Sequence, residues 1–486
     1  MRKAVTGFGV LLIGGTLSCQ ALAADWEQMG DEFFSGASSD VFLGMNSKFR
    51  EKFYTKDGNG DTLEDYENNG EAQLTMGVNF ISGYIGDTFG LDLSALSRSE
   101  LYSETATGYS LYNYGMKILK QTDCYYTTGN SPQYRCDGFS GASGITQINF
   151  KMKAGEGDER LNFNTGLGFY NGGLISSSDE DDVIPTSYTG FELDGRWGNT
   201  RLDYVFVNGV MSNDDSGVQD VMAMPNYASH INYSSPEAIE KRKIDFVHSI
   251  GLTQKIGGLN LTLAAADAQE YLRRYHARTD YTLKFNKRDN LMFRAQYYRN
   301  HQYGSVWEWE KTEGYPAKLE NQPDQTELMN YTVAWTLSPW TIAFHHTRIG
   351  DGGFSYGFGN VKGILKNDTA GNYGSMRRPN GQVWAVENTL DFRYSRNKWL
   401  KGLKLTYGYH YGTYFSDNSR DGETDIIGDT SEDEHAFTAS YLFRHGTLKG
   451  LSFNLKQAFY NDKGHKYNEG KINDTKFDIA YSFPLK

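Results

Sequence analysis

Four adjacent carboxylates, Asp179, Glu180, Asp181 and Asp182, precede Val183-Ile184-Pro185. Such a run repels itself unless cations or guanidinium groups approach it. It is either a solvated tip, the usual meaning of a charge run, or a negative constriction opposite a basic wall. Candidates for that wall recur at every second position: Arg274, His276 and Arg278, then Arg294 and Gln296. Asp391 and Arg393 repeat the spacing. Lys404 sits on the next alternating run, and His345, His410, Asn454 and Lys456 sit on others. Side chains two apart share one face of a strand. Rings and ladders of charge are the means by which a pore selects ions. The plainer use of the same residues is Arg–Asp pairing that holds a polar interior in shape.

Other chemistry is weakly signalled. There is no HExxH zinc pattern, and His345 and His346, being adjacent, face opposite sides of a strand. Asp57-Gly-Asn-Gly-Asp61 begins like a calcium loop, but Thr62 and Asn68 stand where Gly and Glu are expected. No metal, cofactor or nucleic acid is expected. Cys124 and Cys136 lie in a loop-like stretch. In an oxidising compartment they are expected to form a disulfide that staples the loop.

The elements that must position these groups are short alternating runs. In Leu161–Phe169 large apolar side chains fall at 161, 163, 167 and 169, with Asn162, Asn164, Gly166 and Gly168 between them. Leu259, Leu261, Leu263 and Ala265 repeat the pattern against Asn260, Thr262 and Ala264. A period of two means a strand whose faces meet different media. Each run is about ten residues, the length a tilted strand needs to cross a bilayer. Eight links between runs are short, such as Glu156–Glu159, Gly198–Asn199 and Gly257–Gly258. Eight are long and polar: Thr55–Gly70, Thr105–Ser143, Asn171–Tyr188, Met211–Lys241, Asn300–Thr326, Ile349–Gln382, Phe415–Glu434 and Asn461–Asn473. With a ninth connection at Asp267–Arg274, these links join eighteen strands, counting the weak runs Val41–Tyr54 and Tyr271–Phe285. The expected fold is all-β, a transmembrane antiparallel β-barrel with short periplasmic turns and long extracellular loops. The acidic run then falls in the third loop.

The N-terminus fits that destination. Met1-Arg2-Lys3, an apolar Ala4–Thr16 and the small-residue site Ala21-Leu22-Ala23 read as a cleaved signal peptide over residues 1–23, leaving 24–486 as one barrel domain. Cleavage moves the formal charge from −12 to −14 by removing Arg2 and Lys3. The 54 Gly, 34 Tyr and 28 Phe against 9 Pro suit many strands, tight turns and aromatic surface. Trp335 and Trp340 flank the Ser338-Pro339 turn and Trp399 sits by another, positions where amphipathic rings meet lipid headgroups. A mean hydropathy of −0.59 is no obstacle, because a polar lumen dilutes the apolar faces.

Gln73–Ala95, with Ser82-Gly-Tyr84 and Phe89-Gly-Leu-Asp92, resembles the second-to-third strand hairpin of OprD-type outer-membrane porins. Pro185-Thr-Ser-Tyr-Thr-Gly190 resembles the segment after that family's constricting third loop. Phe246-Val-His-Ser-Ile-Gly251 is most similar to the chitoporin branch. The resemblance implies an eighteen-stranded channel of a Gram-negative outer membrane, monomeric or a loosely associated trimer, with loop three folded inward opposite basic residues. It lends weight to Asp179–Asp182, Arg294 and Arg393. The implied partners are outer-membrane lipid, lipopolysaccharide, the barrel assembly machinery and small hydrophilic solutes. Tyr481 and Phe483 take the place of the terminal aromatic assembly signal, since the chain ends Pro-Leu-Lys486. The expected function is passive, substrate-preferring diffusion, with chitooligosaccharides or related sugars first. Amino acids or small organic acids are the alternative, and a barrel enzyme, phospholipase or protease, is the different class.

Overall fold

A computed structural model describes residues 29, 32–34, 36–56, 62–104, 120–126, 134–178, 185–212, 216–223, 236–314, 323–352, 354, 357–417, 427–464 and 470–485. The expected signal peptide lies outside them. No helix of the described residues is long and apolar enough to cross a membrane.

Eighteen strands form one antiparallel sheet. In chain order they are β1 Ser38–Lys56, β2 Thr62–Ile81, β3 Phe89–Glu104, β4 Ser143–Glu156, β5 Glu159–Gly168 and β6 Ser187–Trp197. They continue as β7 Thr200–Met211, β8 Val247–Ile256, β9 Leu259–Ala268, β10 Leu272–Lys284, β11 Asn290–Gln302 and β12 Gln325–Leu337. The last six are β13 Trp340–Ile349, β14 Gln382–Asp391, β15 Leu403–Asp417, β16 Ile427–Leu442, β17 Ser452–Lys463 and β18 Gly470–Pro484. Each strand pairs with its neighbours in sequence, and β1 pairs with β18 from Asp40↔Pro484 to Tyr54↔Gly470, so the sheet closes and leaves no edge. The eighteen-stranded barrel expected from the alternating runs is the fold observed.

The period-two pattern sorts the two faces. On β9 the side chains of Leu261 and Leu263 stand out from the wall, while Ala264 and Ala266 turn inward and are buried. On β1 Leu43, Phe49 and Phe53 face outward, and Asn46, Lys48, Arg50 and Lys52 face the lumen. Exposed apolar faces on nearly every strand would be costly in water at ~25 cal/mol per Å²; against hydrocarbon they cost nothing. Tyr481 and Phe483 are outward residues on the closing seam, opposite Leu43 and Val41, with their rings 5.5 Å apart.

Two expected boundaries shift. Much of the expected loop Thr55–Gly70 is strand, because β2 begins at Thr62, and β16 begins at Ile427 within the expected loop Phe415–Glu434. β1 and β2 run 19 and 20 residues, about twice what the bilayer requires. Past the lipid no face is required to be apolar, so the alternation is no longer imposed while backbone pairing continues through Lys52↔Glu67 and Tyr54↔Asp65.

The barrel also contains a buried apolar cluster of its own. Tyr170, Leu174, Ile175, Tyr188, Val205, Val207, Tyr298, Phe358 and Val361 pack together on the inner wall. Loop residues 170–178 and 357–381 supply one side of this cluster and strand residues the other, at roughly 1.5–3 kcal/mol for each large side chain fully buried.

Candidate permeation path

The loop after β13, residues 350–381, was expected to lie outside; its described residues run along the lumen wall instead. Lys366 O accepts from Gln296 Nε2 at 2.9 Å, and Lys366 N donates to Tyr298 Oη at 3.2 Å. Asp368 accepts from Arg294 at 2.9 Å and from Thr332 Oγ1 at 2.8 Å. Asn367 Oδ1 accepts from Thr347 at 2.9 Å, and the Thr369 carbonyl meets His410 Nδ1 at 3.0 Å. Further along, the carboxylate of Glu434 on β16 receives the backbone N–H groups of Asn372 at 2.6 Å, Tyr373 at 3.2 Å and Gly374 at 2.7 Å. A side chain at Gly371 would strike that carboxylate, so only glycine lets the turn sit there. The Arg50 guanidinium on β1 lies 4.5 Å from the centre of the Tyr373 ring, and Lys476 Nζ on β18 donates to Asn372 O at 3.1 Å. Arg378 grips Asp462 on β17 with both terminal nitrogens. The loop is fastened from β11 round to β1.

The third loop starts the same way. Gly173 N donates to Asp203 Oδ1 at 2.6 Å and Leu174 N to Ser249 Oγ at 2.7 Å, and both acceptors belong to the inward parity of β7 and β8. Its arm also bonds the other loop, Ile364 N to Leu174 O at 2.8 Å and Ser176 N to Lys362 O at 3.1 Å. The four carboxylates Asp179, Glu180, Asp181 and Asp182 lie outside the described residues.

The remaining expected wall residues divide into three groups. Arg278 and Arg294 come together at a cluster: both bond Asp280 at 2.6 Å, and Arg294 reaches on to Asp368. Two cations and two carboxylates there balance. Gln296, which also bonds Asn330 at 3.0 Å, belongs to the loop's fastening. Arg274 and His276 face inward but are covered. Arg274 is fully buried, bonded to Asn300 at 2.8 Å and roofed by Phe354 and Phe358, with ring centres 5.3 and 4.7 Å away. His276 stacks on Tyr298 at 4.1 Å. Asp391, Arg393 and Lys404 lie at the periplasmic end. The expected run Leu390–Tyr394 stops being a strand at Asp391, and Arg393 stands in a single 3-10 turn over Phe392–Tyr394. Asp391 caps that turn by accepting from Arg393 N at 3.0 Å and Nε at 2.7 Å, which ends the ladder and draws Arg393 to the rim. Lys404 is directly opposite Asp391.

Several lumen charges escaped the sequence reading. Lys48, Arg50 and Lys52 form a basic column on β1, and their i, i+2, i+4 spacing was the available signal. Arg50 pairs with Asp474 on β18 at 2.7 Å, both side chains being almost fully buried. Lys151 on β4 pairs with Asp92 on β3 at 2.6 Å. On the neighbouring strands β16 and β17 stand Glu432, Glu434 and Asp462, with Tyr414 and Tyr460 donating to Glu432. Cys124 and Cys136 are direct partners in a small hairpin, Lys120–Tyr126 with Tyr134–Ser140, inside the second loop.

No cluster of three or more His, Cys, Asp or Glu suited to a metal occurs among the described residues. Gly353-Phe-Ser-Tyr-Gly357 spells the pattern of a serine nucleophile elbow. That device requires a strand-to-helix turn; among the described residues the next regular element after this pattern is the strand β14, and Gly353, Ser355 and Tyr356 lie outside the described residues.

Comparison with known proteins agrees with this architecture. The solved OprD of Pseudomonas aeruginosa superposes with a TM-score of 0.64 at 15% identity, over 94% of this chain and 98% of that one. OccK3 (OpdO) of the same organism gives 0.65 at 16% identity, over 95% and 99%. At these identities the likeness speaks for the fold. In sequence, Porin D of Pseudomonas aeruginosa is 25% identical over 245 residues, 47% of this chain and 50% of that relative, so the match spans half of its length. Residues 175–485 match the family model described as outer membrane porin, OprD family. Together with the closed eighteen-stranded barrel, that match places the chain in the Gram-negative outer membrane as a member of the OprD family of porins.

Proposed function

We propose that the chain is a passive, substrate-preferring diffusion channel whose lumen favours small charged and zwitterionic solutes, amino acids and organic acids, over chitooligosaccharides. The observation that carries this reading is the fate of the lumen rings. A sugar path needs aromatic faces open to the pore, but Tyr188, Tyr298, Tyr414 and Tyr460 are buried beneath or beside the 350–381 loop. The wall instead keeps charge of both signs partly open: Arg278 and Arg294 on β10 and β11, with Asp280 on β10 and Asp368 on the loop, have side chains 12–20% exposed. A zwitterion can address both signs in passing, and a neutral oligosaccharide neither. The resemblance of Phe246–Gly251 to chitoporins is what favours the sugar reading.

The third loop's arm, held on Asp203 and Ser249, supports a course for Asp179–Asp182 into the pore. The cross-strand register of Cys124 and Cys136 supports a disulfide between them. Planar-bilayer recording of the purified protein tests the substrate reading. Arginine and benzoate should interrupt the current where chitohexaose does not. Block by chitohexaose alone would reverse the order of substrates, and absence of any channel current would end the porin reading.

A further inference from the structure

His345 on β13 and Glu387 on β14 face the lumen side by side, with Nε2 of the ring 3.8 Å from a carboxylate oxygen. The hydrogen bonds around the ring decide which of its nitrogens carries the hydrogen. The Thr332 hydroxyl on β12 donates its one hydrogen to Asp368 at 2.8 Å, so toward His345 Nδ1, also at 2.8 Å, it can only accept. Nδ1 therefore holds the hydrogen, and Nε2 of the neutral ring is a bare lone pair. That nitrogen is buried and has no hydrogen-bond partner among the described residues. Two acceptors are thus turned on each other, and a cation reconciles them.

The surroundings keep the carboxylate within reach of an ion. Glu387 is directly opposite Ala343 on one side and Gly408 on the other, so no side chain longer than a methyl group stands next to it in that row. Its side chain is 34% exposed, against 7% for His345. His410 on β15 adds a second lone pair to this face of the wall. Its Nδ1 lies 3.0 Å from the Thr369 carbonyl, an acceptor only, so its Nε2 is the bare nitrogen, and that Nε2 lies 2.5 Å from where a Cβ on Gly408 would stand.

We propose that His345 Nε2 and the Glu387 carboxylate take up a borderline divalent cation of the Zn²⁺, Ni²⁺ or Cu²⁺ class from the lumen, with water on its remaining positions. Imidazole suits these ions, whereas Mg²⁺ prefers oxygen ligands. Ligand bonds of about 2.1 Å place the nitrogen and oxygen of a tetrahedral site about 3.4 Å apart, so a slight shift of the Glu387 carboxylate closes the geometry. A ligating histidine ordinarily donates its other N–H to a fixed acceptor, which holds the tautomer and aims the ring. Thr332, itself tied to Asp368, does this for His345. Two protein ligands are fewer than a resident metal takes, so the ion exchanges with those passing along the pore.

The test is equilibrium dialysis of the full-length protein in detergent against Zn²⁺ and, separately, Mg²⁺, with bound metal counted per chain. It needs no channel current, so its outcome is independent of the diffusion-channel reading. The wild type should hold one more Zn²⁺ than His345→Asn, whose amide N–H can still meet Thr332, and one more than Glu387→Gln. At that site either variant should bind at least tenfold more weakly, since loss of even an outer-shell partner costs about 10–100-fold in affinity. Mg²⁺ should bind wild type and variants alike. Equal Zn²⁺ binding by wild type and H345N would overturn the proposal and mean that the ring meets Glu387 as a protonated imidazolium. An equal gain of Mg²⁺ by the wild type would overturn it as well, marking attraction to lumen charge in place of coordination. Heat-modifiable gel mobility establishes that each variant is folded.

Discussion

Replacing Glu434 by alanine should weaken the hold of the lumen wall on the 350–381 loop while leaving the barrel closed. The carboxylate is fully buried and accepts three backbone N–H groups, two of them at 2.7 Å or less. Hydrogen bonds to a charged acceptor contribute about 1.5–3 kcal/mol each in net terms. The lumen admits water that partly replaces them, so the two short bonds at the low end give about 3 kcal/mol for the loop's attachment. That is about a hundredfold in the population of the detached loop, at 1.4 kcal/mol per tenfold. Glu434→Gln, which keeps one acceptor oxygen but turns an amide N–H toward the turn, should fall between. The loop carries tryptic sites at Lys362, Lys366 and Arg377. Where opening is fast relative to cleavage, the cutting rate follows the open population. Trypsin added to the reconstituted protein should therefore cut E434A within this loop about a hundredfold faster than wild type, and single-channel traces should become noisier. If cleavage rate and current noise both match wild type while heat-modifiable mobility shows a closed barrel, Glu434 does not hold the loop and the argument fails.

Replacing Asp179, Asp181 and Asp182 by Asn, and Glu180 by Gln, should weaken cation preference, read as a shift of reversal potential toward zero in a KCl gradient; an unchanged potential would make the run an external tip. Arg50→Ala should destabilise the seam by about 3 kcal/mol, because it strands the buried Asp474 carboxylate. The double change with Asp474→Ala should recover part of that loss in denaturant unfolding from vesicles, and strict additivity would deny the pair. Cys124 and Cys136 should resist alkylation until a reductant is added, with a mass change of two labels thereafter.

The barrel was legible because lipid imposes one requirement on every strand that crosses it. Leu259, Leu261 and Leu263 must be apolar whatever their neighbours are. The extracellular extensions of β1 and β2 escaped for the complementary reason. Beyond the bilayer no face needs to be apolar, and backbone pairing leaves no trace in residue type. Arg393 was misplaced because Asp391 can either continue a strand or cap a turn, and only the local backbone decides. The lumen course of residues 350–381 was hidden more deeply, since Gly371 and Asp368 are common loop residues until Glu434 and Arg294 are known to stand opposite them. The alternation of Lys48, Arg50 and Lys52 was there to be read, and the weak apolar pattern of that run obscured it.

The tip of the long loop meets the first and last strands together: the Tyr373 ring faces Arg50 on β1, and the Asn372 carbonyl takes a hydrogen bond from Lys476 on β18. It therefore bridges, from within, the one joint that the polypeptide does not make by a turn. Either strand can offer its half of this contact at any time, but both halves coincide only in a completed ring. The loop is thus an internal latch whose engagement records closure, and seam and loop form one cooperative unit. On heating, the two should let go in a single transition.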